Sequence, residues 1–325
     1  MLVYIIRRLG QGALVVSVMA SVVFLAMYAV GNPVDVLAPP DASDAEKLLI
    51  ARELGLDKPL WDQFFVFIGN ALHGDLGKSF VYNEPTLQLI LQRLPATLEL
   101  AVTALTLAIA IGIPLGLYAG LKSESWFSRI VMSGSILGFS LPNFWIGMML
   151  ILLFSVQLKW LPAGGRGETV NILGVPLSFL TWDGLRHLLL PALTMSIYKA
   201  ALIVRLVRAA TRETVMQEYV RFARAKGLSR QRIVLVHILK NIMLPVVTVI
   251  GLEFGAILAF AVVTESVFAY PGMGKLLIDS INHLDRPVVV AYLMFTAFLF
   301  VIINFVVDLI YAVIDPRVSL VEAKG

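Results

Sequence analysis

The sequence predicts an all-α protein that crosses a membrane six times. The chain has 325 residues, of which 58% are hydrophobic and 15% charged, and its mean hydropathy is +0.85. Because a soluble domain normally carries about a quarter charged residues, the expected solvent is lipid. Apolar runs also recur along the chain, and each approaches or exceeds the roughly 20 residues that a helix needs to cross a bilayer.

The six predicted spans are apolar runs bounded by glycine, proline and charge. The first, residues 9–30, follows Arg7 and Arg8 but is too long for the apolar part of a secretory signal, so we expect an uncleaved span. The other five are predicted at residues 97–121, 130–158, 188–210, 241–268 and 288–314. Pro142 falls within the third span and Pro191 at the start of the fourth, where neighbouring helices can satisfy the interrupted backbone.

Residues 31–96 are predicted to form a separate helical segment between the first two spans. Residues 43–46 (Ser-Asp-Ala-Glu) fit a capping box, and Gly55 suits the end of the helix that follows. The aromatic run 61–72 predicts a second helix, and Pro85 is placed to open a third, short one. This segment is expected to cover the outer face of the protein.

The distribution of charge predicts the orientation. Basic residues resist translocation, and most of the lysines and arginines lie in loops that cytoplasmic termini would place inside. Residues 31–95 carry mainly acidic side chains instead. Both termini are therefore predicted to be cytoplasmic, and residues 31–96 external.

Several kinds of chemistry are disfavoured by the composition. The chain has no cysteine, which excludes disulfides, thiolate catalysis and iron-sulfur clusters. Its four histidines lie in loops or near span ends and suggest no catalytic triad or metal site. Residues 77–79 (Gly-Lys-Ser) match the end of a phosphate-binding loop, but Leu72 stands where that loop needs its first glycine. We therefore expect no catalytic residue, no bound cofactor or metal, and no ATP hydrolysis by this chain.

The loop of residues 211–240, between the fourth and fifth spans, is the most informative segment. Two short helices joined at Gly227 fit it, because glycine adopts a left-handed turn cheaply and Ser229 can cap the second helix. The candidate docking residues are Glu218, Tyr219, Arg221, Phe222, Ala223, Arg224, Ala225, Lys226, Gly227 and Leu228.

Two functions are compatible with the basic character of this loop. A basic loop held to anionic lipid headgroups needs no glycine hinge between apolar-patterned helices, so docking on a partner protein is favoured. Tyr219, Val220 and Phe222 are expected to enter a groove on that partner, and Ala223 and Ala225 to permit its close approach. Nucleic acid binding is disfavoured, because the loop is tethered between two spans with no soluble domain around it.

Several charged residues lie inside predicted spans, where charge is expensive and indicates function by default, and three of them are candidates for a pathway or interhelical role. Lys199 and Asp308 are expected to reach the membrane surface or to form an interhelical pair. Glu253 lies near the middle of the fifth span and is the candidate for facing a translocation pathway, where it would favour cationic cargo.

Further short stretches occur in a distinctive order. They are residues 54–59, 74–77 and 94–100, Asn241 with 244–246, 271–274, and Asn304 with Asp308 and 316–317. Together with the 211–240 loop they resemble the membrane subunits of dipeptide and oligopeptide ATP-binding-cassette importers, over nearly the whole chain. The loop resembles their coupling helix, although Arg221 and Phe222 stand where the general signature has Glu and Ala, and His237 and Lys240 where it has Ile and Pro.

The resemblance implies a type I importer permease fold in the bacterial inner membrane, with a five-helix core in residues 97–325. It implies that the chain forms half of the pathway for dipeptides or short oligopeptides, and that a second homologous permease completes it. Two ATPase subunits would bind ATP and Mg and dock on the coupling helix, and a periplasmic binding protein would deliver the cargo. Nickel or another small solute is the alternative cargo. An ATP-independent channel or secondary carrier is the alternative class, disfavoured because the sequence shows no convincing internal repeat.

Overall fold

The computed structural model of the protein describes residues 2–29, 34, 43–53 and 57–314. The chain divides into two compact units. One comprises Met1–Leu94 and Leu276–Ile302, and the other Pro95–Lys275 and Ile303–Gly325. Residues 276–302 therefore group with the N-terminal part of the chain rather than with the rest of the predicted 97–325 core.

Helices dominate both units, as predicted. Among the residues that the structure describes, four stretches are long and apolar enough to cross a membrane, namely Ile6–Leu25, Thr86–Leu121, Trp182–Val215 and Arg286–Val307. Two bent helix pairs raise the number to six if each pair is one span. The predicted all-α membrane fold is confirmed, with two of its spans broken.

The first unit begins with helix α1 (Leu2–Ala29), followed by α2 (Asp44–Glu53) and α3 (Leu60–Leu72). The capping box at the start of α2 is confirmed. The Ser43 amide and hydroxyl donate to Glu46 Oε2 at 2.8 and 2.9 Å, and these bonds lower the pKa of the Glu46 carboxyl. The predicted helix end at Gly55 lies outside the described residues. The second predicted helix is confirmed as α3.

Helix α4 (Thr86–Leu121) runs for 36 residues through Pro95 and Pro114. The prediction of a separate short helix after Pro85 is therefore wrong, because that helix continues without a break into the second span. Ile90, Ala96 and Leu100 are all fully buried. Packing on both sides of Pro95 thus outweighs the hydrogen bond that the proline removes.

The third predicted span is broken rather than straight. Helix α5 (Trp126–Ser140) and helix α6 (Asn143–Leu150), which continues as a π-helix over Ile151–Gln157, meet at an angle of 107°. Pro142 confines the residue before it to extended conformations, and Leu141 has ψ 136°. The proline therefore separates two helices instead of lying inside a continuous one.

Helix α7 (Trp182–Val215) starts six residues before the predicted 188–210 span, because Thr181 caps it by accepting a hydrogen bond from the Gly184 amide. Pro191 consequently lies inside the helix and not at its start. Between α6 and α7 lies an unpredicted hairpin, in which β1 (Val170–Ile172) pairs antiparallel with β2 (Val175–Leu177).

The segment after α7 forms α8 (Glu218–Ala225), α9 (Arg230–Arg232), a π-helix (Ile233–Leu239) and α10 (Lys240–Val267). The second short helix predicted after Gly227 is not separate, since helical structure continues from Arg230 into the fifth span with a 49° bend at residue 244. Buried Ile233 and Ile238 belong to the same apolar cluster as Ile242 and Val246 of α10, which explains this continuity. Helices α11 (Met273–Asn282) and α12 (Arg286–Ile314) complete the described chain.

Candidate functional site

Helix α8 has one face buried in its own unit and one face open. Val220 and Ala223 are buried in the apolar cluster that includes Ile233 and Ile238. The expectations that Val220 enters a partner's groove and that Ala223 admits a partner are therefore wrong. A short amphipathic helix needs an apolar surface beneath it, and this cluster supplies that surface.

The opposite face of α8 is exposed. Its exposed residues are Glu218, Tyr219, Arg221, Phe222, Arg224, Ala225, Lys226 and Gly227, with Leu228 partly buried. The Tyr219 and Phe222 side chains are 43% and 62% exposed, and Lys226 Nζ lies 4.6 Å from the centroid of the Phe222 ring. A rigid, basic and aromatic surface of this kind suits insertion into a groove on another protein.

The end of α8 is fixed by backbone geometry at Gly227. Its φ is +73°, the Leu228 amide donates to the Ala223 carbonyl at 3.3 Å, and the Gly227 amide donates to the Arg224 carbonyl at 2.9 Å. This is a Schellman motif, so the predicted left-handed turn is confirmed. A Cβ at Gly227 would meet nothing within 4 Å, so the backbone conformation alone requires glycine. Ser229 caps the next turn by accepting from the Arg232 amide, as predicted.

A cavity of about 540 Å³ opens between α6, α7 and α10. Its lining includes Asn143, Phe144, Tyr198, Lys199, Glu253 and Phe260. Lys199 lies midway along α7 and its ammonium forms a salt bridge with the Glu253 carboxylate of α10. The ring of Tyr198, which stacks on Phe139 at 4.8 Å between centroids, lies 5.2 Å from Lys199 Nζ.

This pair changes the interpretation of the intramembrane charges. Lys199 neutralises Glu253, so the negative charge that would have favoured cationic cargo is balanced. The side chain of Asp308 lies outside the described residues.

Buried carboxylates that sequence reasoning missed form a second polar region of the same unit. Glu99 of α4 accepts hydrogen bonds from Arg166 Nε and Nη2 at 3.2 and 2.9 Å, and from the Ser178 amide and hydroxyl at 2.7 and 2.8 Å. The Tyr270 hydroxyl adds a bond of 3.4 Å. Burial raises the pKa of Tyr270 to about 12, so this hydroxyl is a donor at neutral pH.

Glu265 is the second buried carboxylate of this region. It accepts from the Thr97 hydroxyl at 2.7 Å and from the Lys275 amide at 3.0 Å. Thr97 Oγ1 in turn accepts from the Met273 amide at 2.8 Å. A Cβ on Gly272 would lie 2.3 Å from the Glu265 carboxylate, so only glycine fits there. The Glu99 and Glu265 clusters together tie the part of α4 around Thr97 and Glu99 to the residues at the end of the hairpin and to the turn after α10.

A third buried carboxylate, Asp285, belongs to the other unit. It accepts from the Ser79 hydroxyl and from the amides of Phe80 and Val81, the latter two at 3.1 and 3.3 Å. It thereby fixes the loop before α4. The only sequence signal for these acids is a carboxylate among apolar residues, as in residues 98–100 (Leu-Glu-Leu), and that signal does not reveal distant partners.

Within the described part of the chain, no group of three or more histidine, cysteine, aspartate or glutamate side chains is placed to hold a metal ion. The polar groups of the Glu99 cluster instead pair with one another and with a backbone amide, and in the cavity Lys199 pairs with Glu253.

Comparison with known proteins identifies relatives over the full length. The family model described as "Binding-protein-dependent transport system inner membrane component" matches residues 112–320, and the corresponding N-terminal model matches residues 1–101. The dipeptide transport system permease protein DppB of Escherichia coli (strain K12) is 38% identical over 98% of this chain and 99% of its own length. The di/tripeptide permease DppB of Pseudomonas aeruginosa (strain UCBPP-PA14) is 40% identical with the same coverage. The glutathione permease GsiC of Escherichia coli O6:H1 is 38% identical, again over 98% and 99%.

Solved structures support the fold. An inward-facing structure of the MetNI methionine ABC transporter matches with a TM-score of 0.56 at 16% identity, covering 70% of this chain and 97% of that chain. A second crystal form of the same transporter gives a TM-score of 0.54.

Proposed function

Because the chain belongs to the family of inner-membrane components of binding-protein-dependent transport systems, we propose that it forms half of the translocation pathway of an importer for dipeptides or short oligopeptides. The similarity to dipeptide, di/tripeptide and glutathione permeases supports peptide cargo. A second, homologous permease subunit completes the pathway, and a periplasmic binding protein delivers the peptide.

The orientation in this proposal has both termini in the cytoplasm. The basic 211–240 loop then lies inside, and residues 31–96 form the periplasmic cap on which the binding protein docks. The loop distribution of lysine and arginine supports this topology. Labelling a cysteine introduced at Asp44 in intact cells with an impermeant reagent tests it. If that cysteine reacted only after the inner membrane was opened, the opposite orientation would be correct.

The conformational change of the ATPase subunits reaches this chain through α8. The two faces of α8 support this role. Tyr219 and Phe222 are exposed on one face, and Val220 and Ala223 are buried on the other. The exposed face docks in a groove on an ATPase subunit, which holds ATP and Mg. Because the buried face packs in one cluster with residues that lead into α10, a displacement of α8 moves that helix. Two such ATPase subunits would switch the two permeases between outward and inward openings.

Substitution of Gly227 tests the coupling role. A β-branched residue in a left-handed turn is strained by roughly 1–2 kcal/mol or more, so Gly227→Val should turn α8 away from the ATPase. We expect normal membrane abundance, weaker retention of the ATPase on purification and loss of uptake. Gly227→Ala, the matched control, should show a milder form of the same defect. If Gly227→Val imported its cargo at the wild-type rate in an intact assembly, the coupling role would be wrong. The basic residues of the loop would then be explained as lipid anchors.

Reconstitution tests the cargo. The chain, purified with its partner subunits and binding protein and placed in liposomes, should accumulate labelled dialanine only when ATP is supplied. Nickel accumulation without dialanine accumulation would assign the alternative cargo. Uptake that persists without ATP or any ATPase subunit would place the chain among channels or secondary carriers.

A further inference from the structure

We propose that the Lys199–Glu253 pair is a cargo subsite that recognises the two charged termini of a zwitterionic peptide. Glu253 receives the peptide ammonium and Lys199 the peptide carboxylate. This inference deepens the proposed function and rests on it.

The pair lies where cargo can reach it. Its two side chains face a cavity of about 540 Å³ and remain 14% and 20% exposed. Small-molecule sites commonly enclose about 300–1,000 Å³, so the volume suits a short peptide. Both residues are near the middle of their helices, far from the helix ends at which a long side chain reaches the membrane surface.

The polar groups of the cavity are incompletely satisfied. Among the described residues, the Glu253 carboxylate and the Lys199 ammonium have each other as their hydrogen-bonding partner. The Oδ1 atom of Asn143, also in the cavity lining, is buried without a partner in the described part of the chain. An orphaned buried acceptor calls for an explanation, and a peptide N–H group would supply its missing donor once the Asn143 side chain turns towards the cavity.

The charges match a zwitterion better than an ion of either sign. One carboxylate beside one ammonium sums to zero, so a metal cation near Glu253 would also meet the charge of Lys199. A peptide brings one charge of each sign and can replace the internal pair with two new pairs, leaving neither charge buried alone. Fully extended, a dipeptide spans at most about 7 Å, so flexible Lys199 and Glu253 side chains can separate and engage both ends.

Apart from Asn143, Tyr198 and Thr264, the remaining lining of the cavity is apolar. Phe144, Ile257 and Phe260 surround the pair and offer contact to peptide side chains without a directional polar group. The subsite would therefore select for free termini and tolerate variation in side chains.

Removal of both charges separates a binding role from a packing role. An ion pair that only stabilises the fold can be replaced by apolar groups of similar volume at little cost. The double variant Lys199→Met with Glu253→Gln should therefore assemble with its partners but import dialanine at least about tenfold more slowly than wild type. The control Ser196→Ala removes a hydroxyl of the same helix that bonds to the Leu193 carbonyl outside the cavity lining, and should import normally.

Direct binding supplies a readout that a structural role would not move. The assembled importer without its binding protein, in lipid nanodiscs, is titrated with dialanine, N-acetyl-dialanine and dialanine amide by ligand-observed NMR. Wild type should prefer dialanine. Lys199→Met, with its unpaired carboxylate, should prefer the cationic amide, and Glu253→Gln the anionic N-acetyl form.

The outcomes keep the two proposals apart. Failure of the complete wild-type importer to accumulate dialanine would count against peptide transport itself. Normal uptake by the double variant, or the same ligand order in wild type and both single variants, would overturn the subsite while leaving peptide transport in place.

Discussion

Two glutamate-containing ion pairs of the same unit differ sharply in their surroundings. Glu99 pairs with Arg166 and also accepts from Ser178 and Tyr270, and the side chains of the ion pair are 3% and 11% exposed. Glu253 has only Lys199 among the described residues and faces a cavity. A carboxylate that accepts several hydrogen bonds from the protein stabilises the fold. A carboxylate with a single partner, beside open space, can exchange that partner for a ligand. Glu99 therefore has the surroundings of a structural residue, whereas Glu253 has the surroundings that the proposed cargo subsite requires.

The largest expected effect is on stability at Glu99. Glu99→Gln leaves the Arg166 charge buried without its counter-ion, which should destabilise the fold by about 3–5 kcal/mol. Glu253→Gln is the matched control, and its cavity should limit the loss to about 1 kcal/mol. Thermal unfolding of both variants in detergent measures the difference. If Glu99→Gln and Glu253→Gln had equal melting temperatures, the two ion pairs would not differ in their contribution to stability.

A double-mutant cycle sharpens the same comparison. Glu99→Gln combined with Arg166→Met should give a coupling energy of about 2–3 kcal/mol, since either single substitution leaves the other group buried without its partner. Glu253→Gln combined with Lys199→Met should give less than about 1 kcal/mol. The cycles can be measured by unfolding in sodium dodecyl sulfate. Strong coupling at the cavity pair would mark it as a structural element.

The Glu265 cluster should be equally intolerant of change. A Cβ in Gly272→Ala would approach the Glu265 carboxylate to 2.3 Å, and Thr97 and Lys275 hold that carboxylate in place. Overpacking of this kind costs about 1–3 kcal/mol. The control Gly134→Ala in α5 meets nothing within 4 Å and should stabilise the helix by about 0.5–1 kcal/mol. The free energy of unfolding of the two variants should thus change in opposite directions.

The smallest effect is expected at Tyr270. Tyr270→Phe loses a hydrogen bond to Glu99 and should cost about 1 kcal/mol at neutral pH. An unfolded phenol ionises near pH 10, whereas the pKa of Tyr270 in the folded chain is about 12, so the wild type loses stability as pH rises from 10 towards 12. The variant should lack that alkaline loss. Melting temperatures measured between pH 8 and 11 test this difference, with Tyr219→Phe on the exposed face of α8 as the control. If the melting temperatures of wild type and Tyr270→Phe changed in parallel with pH, the raised pKa of a buried phenol would be contradicted.

Local signals in the sequence were enough for several elements. The capping box at Ser43 and Glu46 and the left-handed turn at Gly227 depend on residues within a few positions of each other, and both are confirmed. The apolar runs likewise identified the membrane spans, because lipid selects each helix by its own length and composition.

Tertiary structure decided the rest, because the determining partners lie far along the chain. Lys199 and Glu253 are 54 residues apart, and Glu99 and Tyr270 are 171 apart, so no local pattern pairs them. The same limit explains why Pro95 lies within a continuous helix while Pro142 ends one, and why Val220 turns inward. In each case the outcome depends on what packs against the residue, and packing is a property of the folded chain.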